Sequence, residues 1–400
     1  YVIDFWGLGY DIAEKMGLVP RIRELGYQVH EVRFVDRRGR KSGGFAVDVF
    51  GRITNGRFTS VRRSDLAATI YGALDEQVET VFGDSVAGIE DNGKFVRVSF
   101  EHAAAREVDL VIGADGLHSR VRKIAFEATS EREGGGQSPF ASRTAQKGTV
   151  PGGGERFEVS LGYHVAAFEV DGYWPRDELV YLSYGVPGKQ VSRFSMRNDK
   201  TLFLFVFLDK YLPEEWKSSA GGGQAHFCSA DSAKMSQSPV EERRAALRHV
   251  YDGVEWECPE ILTAMEGVSD IYFDRVSQIR MEHWTKGRAA LVGDAAACVS
   301  LLAGEGTGLA MAEAYVLAGE IHVCGGDHAA AFARYEERMM PFLKRKQESA
   351  AKFASSFAPK TAFGIWFRNQ VTRLLRIPAV SDYFIGRDLQ DEIELPEYGW

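Results

Sequence analysis

Cysteine is scarce: four residues in 400, Cys228, Cys258, Cys298 and Cys324, with no CxxC pair among them. In a chain of this length such spacing excludes a disulfide framework and a zinc ribbon, and it predicts reduced thiols in a cytoplasmic setting. His30, His102, His226, His249 and His283 show no ligand spacing, so no metal centre is expected. Positive charge is not in excess. A formal charge of −8 and a pI near 5.7 argue against nucleic acid as a partner, because phosphate binding needs a basic face. No apolar run reaches the ~18 residues of a membrane span and no signal peptide is visible, so a soluble chain without integral membrane contact is expected. A starting Met is also missing. Tyr1-Val2-Ile3-Asp4-Phe5-Trp6 begins abruptly with strand-like residues, which predicts a segment upstream of Tyr1.

What is present is ordinary globular composition, 45% hydrophobic and 26% charged. Four hundred residues exceed the ~250–300 at which one core stops growing, so two packed units are expected. Residues 1–125 mix helix and strand. Asp11–Gly17 reads as a short helix, and Gln28–Val35 and Phe45–Val49 as strands. Ser64–Leu74 reads as a helix capped by Ser64, with Leu66, Ile70 and Leu74 four residues apart. Thr80–Ile89 and Phe95–Phe100 read as a hairpin closed by Asp91-Asn92-Gly93. The stretch 126–156 is rich in Gly, Ser and Glu and reads as a mobile insertion.

From residue 157 the pattern changes to strands at Gly162–Val170, Glu178–Tyr184, Gln190–Met196 and Thr201–Leu208, an antiparallel sheet and hence a second domain. Ser219–Gln237 reads as polar loop and Pro239–Val250 as a helix. A strand over 272–281, a helix over Thr307–Val323 and a mostly helical stretch over 328–386 complete the reading. The expected division is therefore 1–125 with 271–327 as one discontinuous domain, 157–270 as the sheet domain, and 328–400 as a C-terminal helical region.

Three blocks carry chemistry. In the first, the apolar strand Ala289-Ala290-Leu291-Val292 ends in Gly293-Asp294, and Gly304-Glu305-Gly306-Thr307 opens a helix. Strand ends of α/β sheets are where ligands bind. An Asp there accepts hydrogen bonds from the ribityl hydroxyls of a flavin, and the helix start offers unpaired N–H groups to the negative edge of the reduced ring. In the second, Asp109-Leu110-Val111-Ile112 runs into Gly113-Ala114-Asp115-Gly116 and then His118-Ser119-Arg120-Val121-Arg122. Here the Asp either binds hydroxyls or orients its loop, and the arginines either face phosphate or are solvated. In the third, Arg63 precedes Ser64-Asp65-Leu66, where a guanidinium reaches a pyrophosphate or a flavin edge. Asp294, Asp115 and Arg63 are expected around one cavity.

In this order and spacing the blocks resemble the FAD-dependent monooxygenases of the para-hydroxybenzoate hydroxylase, or aromatic-ring hydroxylase, type (group A flavoprotein monooxygenases), which include the tetracycline-inactivating enzymes. The resemblance covers about 1–124 and 157–345. It implies an α/β fold with a Rossmann-like FAD-binding domain and an antiparallel substrate sheet. Asp294 would be the ribityl binder and Asp115-Gly116 the motif associated with FAD and NAD(P)H. With Arg63, Gly293, Gly304, Gly306 and Thr307 these make the expected cofactor site. The implied reaction is NAD(P)H-driven insertion of one oxygen atom from O2, through a flavin hydroperoxide, into a small organic substrate of aromatic or polyketide-like kind.

No catalytic base is assigned. Tyr163, His164, Tyr181, Tyr184, Arg193, Arg197 and Phe205 are candidates for the substrate side, of which only one of Tyr163 and His164 can face the flavin. The sequence departs from the family in three places. No Gly-x-Gly-x-x-Gly block precedes Tyr1, and Gly7-Leu8-Gly9 is a poor substitute; a chain without that block is expected to hold FAD weakly. Ala297 and Leu301 stand where the family often has His and Pro. The 126–156 insertion is longer than usual. Rival readings are a flavin-binding homologue without activity and a halogenase-type enzyme, although Trp256-Glu257-Cys258-Pro259 does not match the halogenase tryptophan segment.

Overall fold

Apolar alternation puts much of the chain between residues 158 and 208 into strands, and the computed structural model arranges its strands in four sheets. It describes residues 1–127, 156–213, 216, 238–375 and 393–399. The expected insertion therefore lies outside the described residues except at its ends, as does the expected loop at 219–237.

In the amino-terminal part, β1 (Val2–Trp6), α1 (Gly7–Lys15), α2 (Val19–Leu25), β2 (Glu31–Val35), β3 (Lys41–Ala46), α3 (Asp48–Ile53), β4 (Phe58–Arg62) and α4 (Arg63–Tyr71) follow one another. Then come β5 (Val86–Asp91), β6 (Val96–Phe100), β7 (Arg106–Val108), β8 (Val111–Gly113) and the single turn α5 (Arg120–Arg122). The middle holds β9 (Glu158–Asp171), β10 (Val180–Val186), β11 (Lys189–Ser195) and β12 (Lys200–Leu208), followed by α6 (Val240–Tyr251) and α7 (Cys258–Ala264). After them come β13 (Tyr272–Ile279), β14 (Thr285–Lys286), β15 (Ala289–Leu291), α8 (Asp294–Ala297), α9 (Gly306–Val323), α10 (His328–Phe357) and α11 (Ala362–Leu374).

The large sheet has seven strands in the order β13-β9-β12-β11-β10-β2-β3. Its centre is the antiparallel set expected from residues 157–208. Two strands from the first 125 residues, β2 and β3, join it as well, with β2 parallel to β10. Side chains alternate across it, so each strand serves two cores. Ala166, Phe168, Phe203, Phe205 and Phe207 face α6 and α7, packing with Leu247, Tyr251 and Ile261. Tyr163, Val165, Val206 and Leu208 face the other way, towards Leu302 and Ala354. On this second side the sheet meets the Leu301-Leu302 turn, which lies between the Gly-Asp loop and α9.

A smaller sheet, β14-β15-β8, holds the two motif strands side by side and parallel, with Ala289 opposite Val111 and Leu291 opposite Gly113. Behind it, α9 crosses α1 at a point where no side chain fits. A Cβ on Gly9 would lie 2.5 Å from the Gly308 Cα. Gly9 of the Gly7-Leu8-Gly9 segment thus serves a helix crossing. Gly9→Ala is expected to push the helices apart at a cost of ~1–3 kcal/mol, read as a lowered denaturant midpoint. An unchanged midpoint would contradict so close a crossing. Among the described residues no helix is long and apolar enough to cross a membrane.

Candidate active site

The Gly-Asp block is built on a fully buried strand. Ala289, Ala290 and Leu291 are buried, and the Val292 N–H donates to the Gly113 carbonyl at 3.0 Å, extending the pairing with β8 by one residue. Gly293 then turns at φ 64° and ψ −144°, a region open in practice only to glycine, and starts α8. This turn aims Asp294 at the beginning of α9. A Cβ on Gly306 would stand 3.7 Å from the Asp294 Oδ1. Gly304, at φ 71°, ends the intervening helical turn, and no side chain caps α9. The first N–H groups of α9, around Gly306 and Thr307, therefore lie beside a carboxylate with no cap of their own. Burial pushes the Asp294 carboxyl above its ordinary range, opposed by a hydrogen bond with Cys298 and by the positive charges of Arg63 and Arg122.

The Asp-Gly block has a different character. Asp115 spends its carboxylate on its own loop: Oδ1 accepts the Ser119 hydroxyl, and Oδ2 accepts the N–H groups of Arg120 and Val121 at 2.7 and 3.0 Å. Of the two roles open to it in sequence, the structure gives it the loop-orienting one. Gly116 supplies the positive φ, 79°, that lets the loop turn back. The arginines do not face solvent or phosphate together. Arg120 pairs with Glu101 on the surface. Arg122 is wholly buried and donates to the carbonyls of Ala295 at 2.9 Å and Leu117 at 2.5 Å. One guanidinium thus ties the two motif loops together, a link that spacing alone did not disclose.

Arg63 opens α4, where its N–H donates to the Tyr1 carbonyl at 3.0 Å and its guanidinium lies 5.6 Å from the centre of the Tyr1 ring. It is exposed and close enough to act on the Asp294 carboxyl. Ser64 does not cap this helix as expected. The helix starts one residue earlier, its cap position is Arg62, and the Ser64 hydroxyl reaches only the neighbouring Asp65, at 3.5 Å. Arg62 is committed elsewhere, one of its guanidinium nitrogens donating to both carboxylate oxygens of Glu169 at 3.0 and 2.9 Å. The structure thus brings Asp294, Arg63, Gly293, Gly304, Gly306 and Thr307 to one place, with Asp115 and Gly116 at the end of the adjoining strand. A narrow crevice of only about 10 Å³ runs there between Asp4, Phe5, Trp6 and Leu8 on one side and Gly304, Glu305, Gly308 and Leu309 on the other.

The substrate-side candidates divide by face. Tyr163 points to the motif side, and among the described residues its buried hydroxyl has no hydrogen-bond partner. Tyr181 is on that side too, against Phe194. His164 stacks on Phe207 in the opposite core, with Phe205 and Tyr184. Arg193 is held there by Asp177 at 2.7 Å and Glu257 at 2.9 Å. Arg197 is bound to the carbonyls of Leu25 and Gly26, both at 2.6 Å. Trp256 and Cys258 likewise belong to the far core. Sequence reading passed over Asp274, whose Oδ2 lies 3.1 Å from the His118 Nε2 and 3.5 Å from the Tyr272 hydroxyl. It also passed over Glu313. A carboxylate inside the otherwise apolar run 309–319 was the available signal for Glu313, whereas the strand of Asp274 also carries Arg275, Ser277 and Gln278 and gave none.

A search of family models finds no match. An uncharacterized protein of Mycobacterium tuberculosis is 35% identical over 86% of this chain and 81% of its own length. A flavin-dependent monooxygenase of Legionella longbeachae is 28% identical over 90% of this chain and 80% of its own. Among solved structures, the tetracycline destructase Tet(55) matches with a TM-score of 0.73 and 25% identity, over 100% of this chain and 88% of that one. The chain belongs to the FAD-dependent monooxygenases of the aromatic-hydroxylase type, and is an oxidoreductase with FAD as its cofactor. The donor set fits that group: a desolvated carboxylate for hydroxyls, an uncapped helix start for a negative edge, and a guanidinium beside them.

Proposed function

We propose that this protein uses NADH or NADPH to deliver two electrons, through FAD, to O2, placing one oxygen atom in a small aromatic or polyketide-like substrate and releasing the other as water. The carrying observation is that the two motif strands lie parallel and adjacent, and that the Leu301-Leu302 turn between the Gly-Asp loop and α9 packs on the apolar second face of the seven-stranded sheet. In this reading Asp294 receives the ribityl hydroxyls, the first N–H groups of α9 at Gly306 and Thr307 face the ring's negative edge, and Arg63 reaches the cofactor from α4. Asp115 and Gly116 shape the loop behind them. The flavin supplies the redox chemistry when bound. The protein contributes orientation and a dry wall, for which Tyr163, Val165, Leu204 and Val206 are suited. The likeness to an enzyme named for tetracycline supports a polycyclic substrate of that general kind.

The test is oxygen uptake by FAD-loaded protein supplied with NADH or NADPH and a panel of phenols and polycyclic aromatics. One O2 consumed per nicotinamide, with a product 16 mass units heavier (the mass of the added oxygen atom), is the expected result. Nicotinamide left unoxidised across the whole panel would count against the reading.

A further inference from the structure

Glu313 is an acid that the cofactor reading leaves unused. It sits on α9 at 1% exposure, between Ala312 and Ala314, and a carboxyl is rarely buried so fully without partners that require it. Its Oε2 accepts the Gly293 N–H at 2.9 Å and lies 3.0 Å from the Tyr335 hydroxyl. That hydroxyl is also 3.0 Å from the Leu291 carbonyl. A phenol has one proton to give. If it goes to the Leu291 carbonyl, the contact between Tyr335 and Glu313 is a hydrogen bond only when Glu313 carries a proton of its own. The chain then closes: Glu313 donates to Tyr335, Tyr335 to the last residue of β15, and the Gly293 N–H to Glu313.

We propose that Glu313, acting as a neutral acid, is a positioning residue for FAD: it fixes the Gly293 turn and so the direction of Asp294, without touching the cofactor. This rests on the reading of Asp294 as a flavin ligand. Burial raises the carboxyl to about 8, with the nearby Asp294 adding to the rise and the bonds from Tyr335 and Gly293 opposing it. The groups facing it are Asp294 from α8 and Tyr335 from α10. Arg63 and Arg122 act on Asp294. Glu336, next to Tyr335, is occupied by the N–H groups of Trp284 and Thr285. Ionising Glu313 removes the donor that closes the chain and sets a second buried charge beside Asp294.

The sign follows from linkage. The folded value, about 8, lies above the ordinary 4.5, so the folded state keeps a proton that the unfolded chain releases. The stability this contributes is complete below pH ~4.5 and is lost as pH rises through ~8. FAD affinity is expected to fall in the upper part of that window, because ionisation sets a second buried negative charge beside Asp294. Glutamine supplies both a donor and an acceptor and does not ionise.

The experiment measures the FAD dissociation constant from pH 6 to 9 for the wild type, Glu313→Gln, Glu313→Ala and Asp294→Ala, with circular dichroism as the check on folding. The wild type is expected to lose affinity at least about fivefold between pH 7 and 9. Glu313→Gln should bind like the wild type at pH 7 and stay flat, whereas a folded Glu313→Ala should bind about tenfold more weakly. A flat wild-type profile, or a Gln variant that keeps the wild-type slope, overturns the proposal even if the Ala variant does not fold. Undiminished binding by Asp294→Ala would instead overturn the flavin reading itself, so the two failures are distinct.

Discussion

Asp294→Ala lowers FAD affinity about tenfold to a hundredfold and leaves the fold intact. The estimate comes from the loss of a charge-assisted hydrogen bond, ~1.5–3 kcal/mol. The fold should survive because Asp294 does not hold β15 or α9 in place. β15 is anchored by its pairing with β8, and α8 is started by the Gly293 turn. Burial of the carboxyl costs the native state something, since it raises the Asp294 pKa, so alanine removes an unfavourable desolvation along with the ligand bond. The expected signature is therefore weak flavin retention in a protein of equal or slightly greater stability. Equilibrium dialysis against FAD, paired with a denaturant melt, reads both quantities. Full flavin content after dilution would remove Asp294 from the site.

Arg122→Met is expected to act in the opposite way, costing roughly 3 kcal/mol or more of stability and weakening FAD as a consequence. Two hydrogen bonds from a buried guanidinium are lost, each of about 1.5–3 kcal/mol. The buried carbonyl of Ala295 and the partly buried one of Leu117 are left without that donor. Methionine fills much of the volume, so the loss reports the polar tie more than a cavity. Arg120→Ala is the control two residues away. Its exposed pair with Glu101 is expected to contribute at most ~1 kcal/mol. If both variants melt alike, Arg122 does not join the two loops as the structure indicates.

Legibility in the sequence followed the range of the interactions. β9 to β13 were visible because alternation is a local property, and the Asn92-Gly93 hairpin because turn chemistry is local too. The pairing of β2 with β10 joins residues such as Val32 and Tyr181, and no local pattern announces a partner so distant. The face of a strand was half legible. Alternation required Tyr163 and His164 to part, yet which one met the motif side depended on where α6 and α7 settled. The motif residues themselves were found because two apolar strands ending in Gly-Asp and Ala-Asp-Gly stand in order with a Gly-rich helix start, although each junction alone is common. Of the parts that hold them, Arg122 stayed hidden because an arginine after a loop is common and only burial makes it unusual, whereas Glu313 had a signal in the apolar helix around it. Ser64 misled for the converse reason: it has the chemistry of a cap, but the helix began one residue before it.

The central claim is that the cofactor lies where the Gly293-Asp294 turn meets the start of α9, on the second face of the large sheet. A crystal structure of the protein grown with FAD tests it directly. The account predicts flavin density between the β1 end at Asp4–Trp6 and the α9 start at Gly306, with the ribityl chain within hydrogen-bonding distance of Asp294. Flavin density on the α6 and α7 face instead, beside His164 and Phe205, would contradict it.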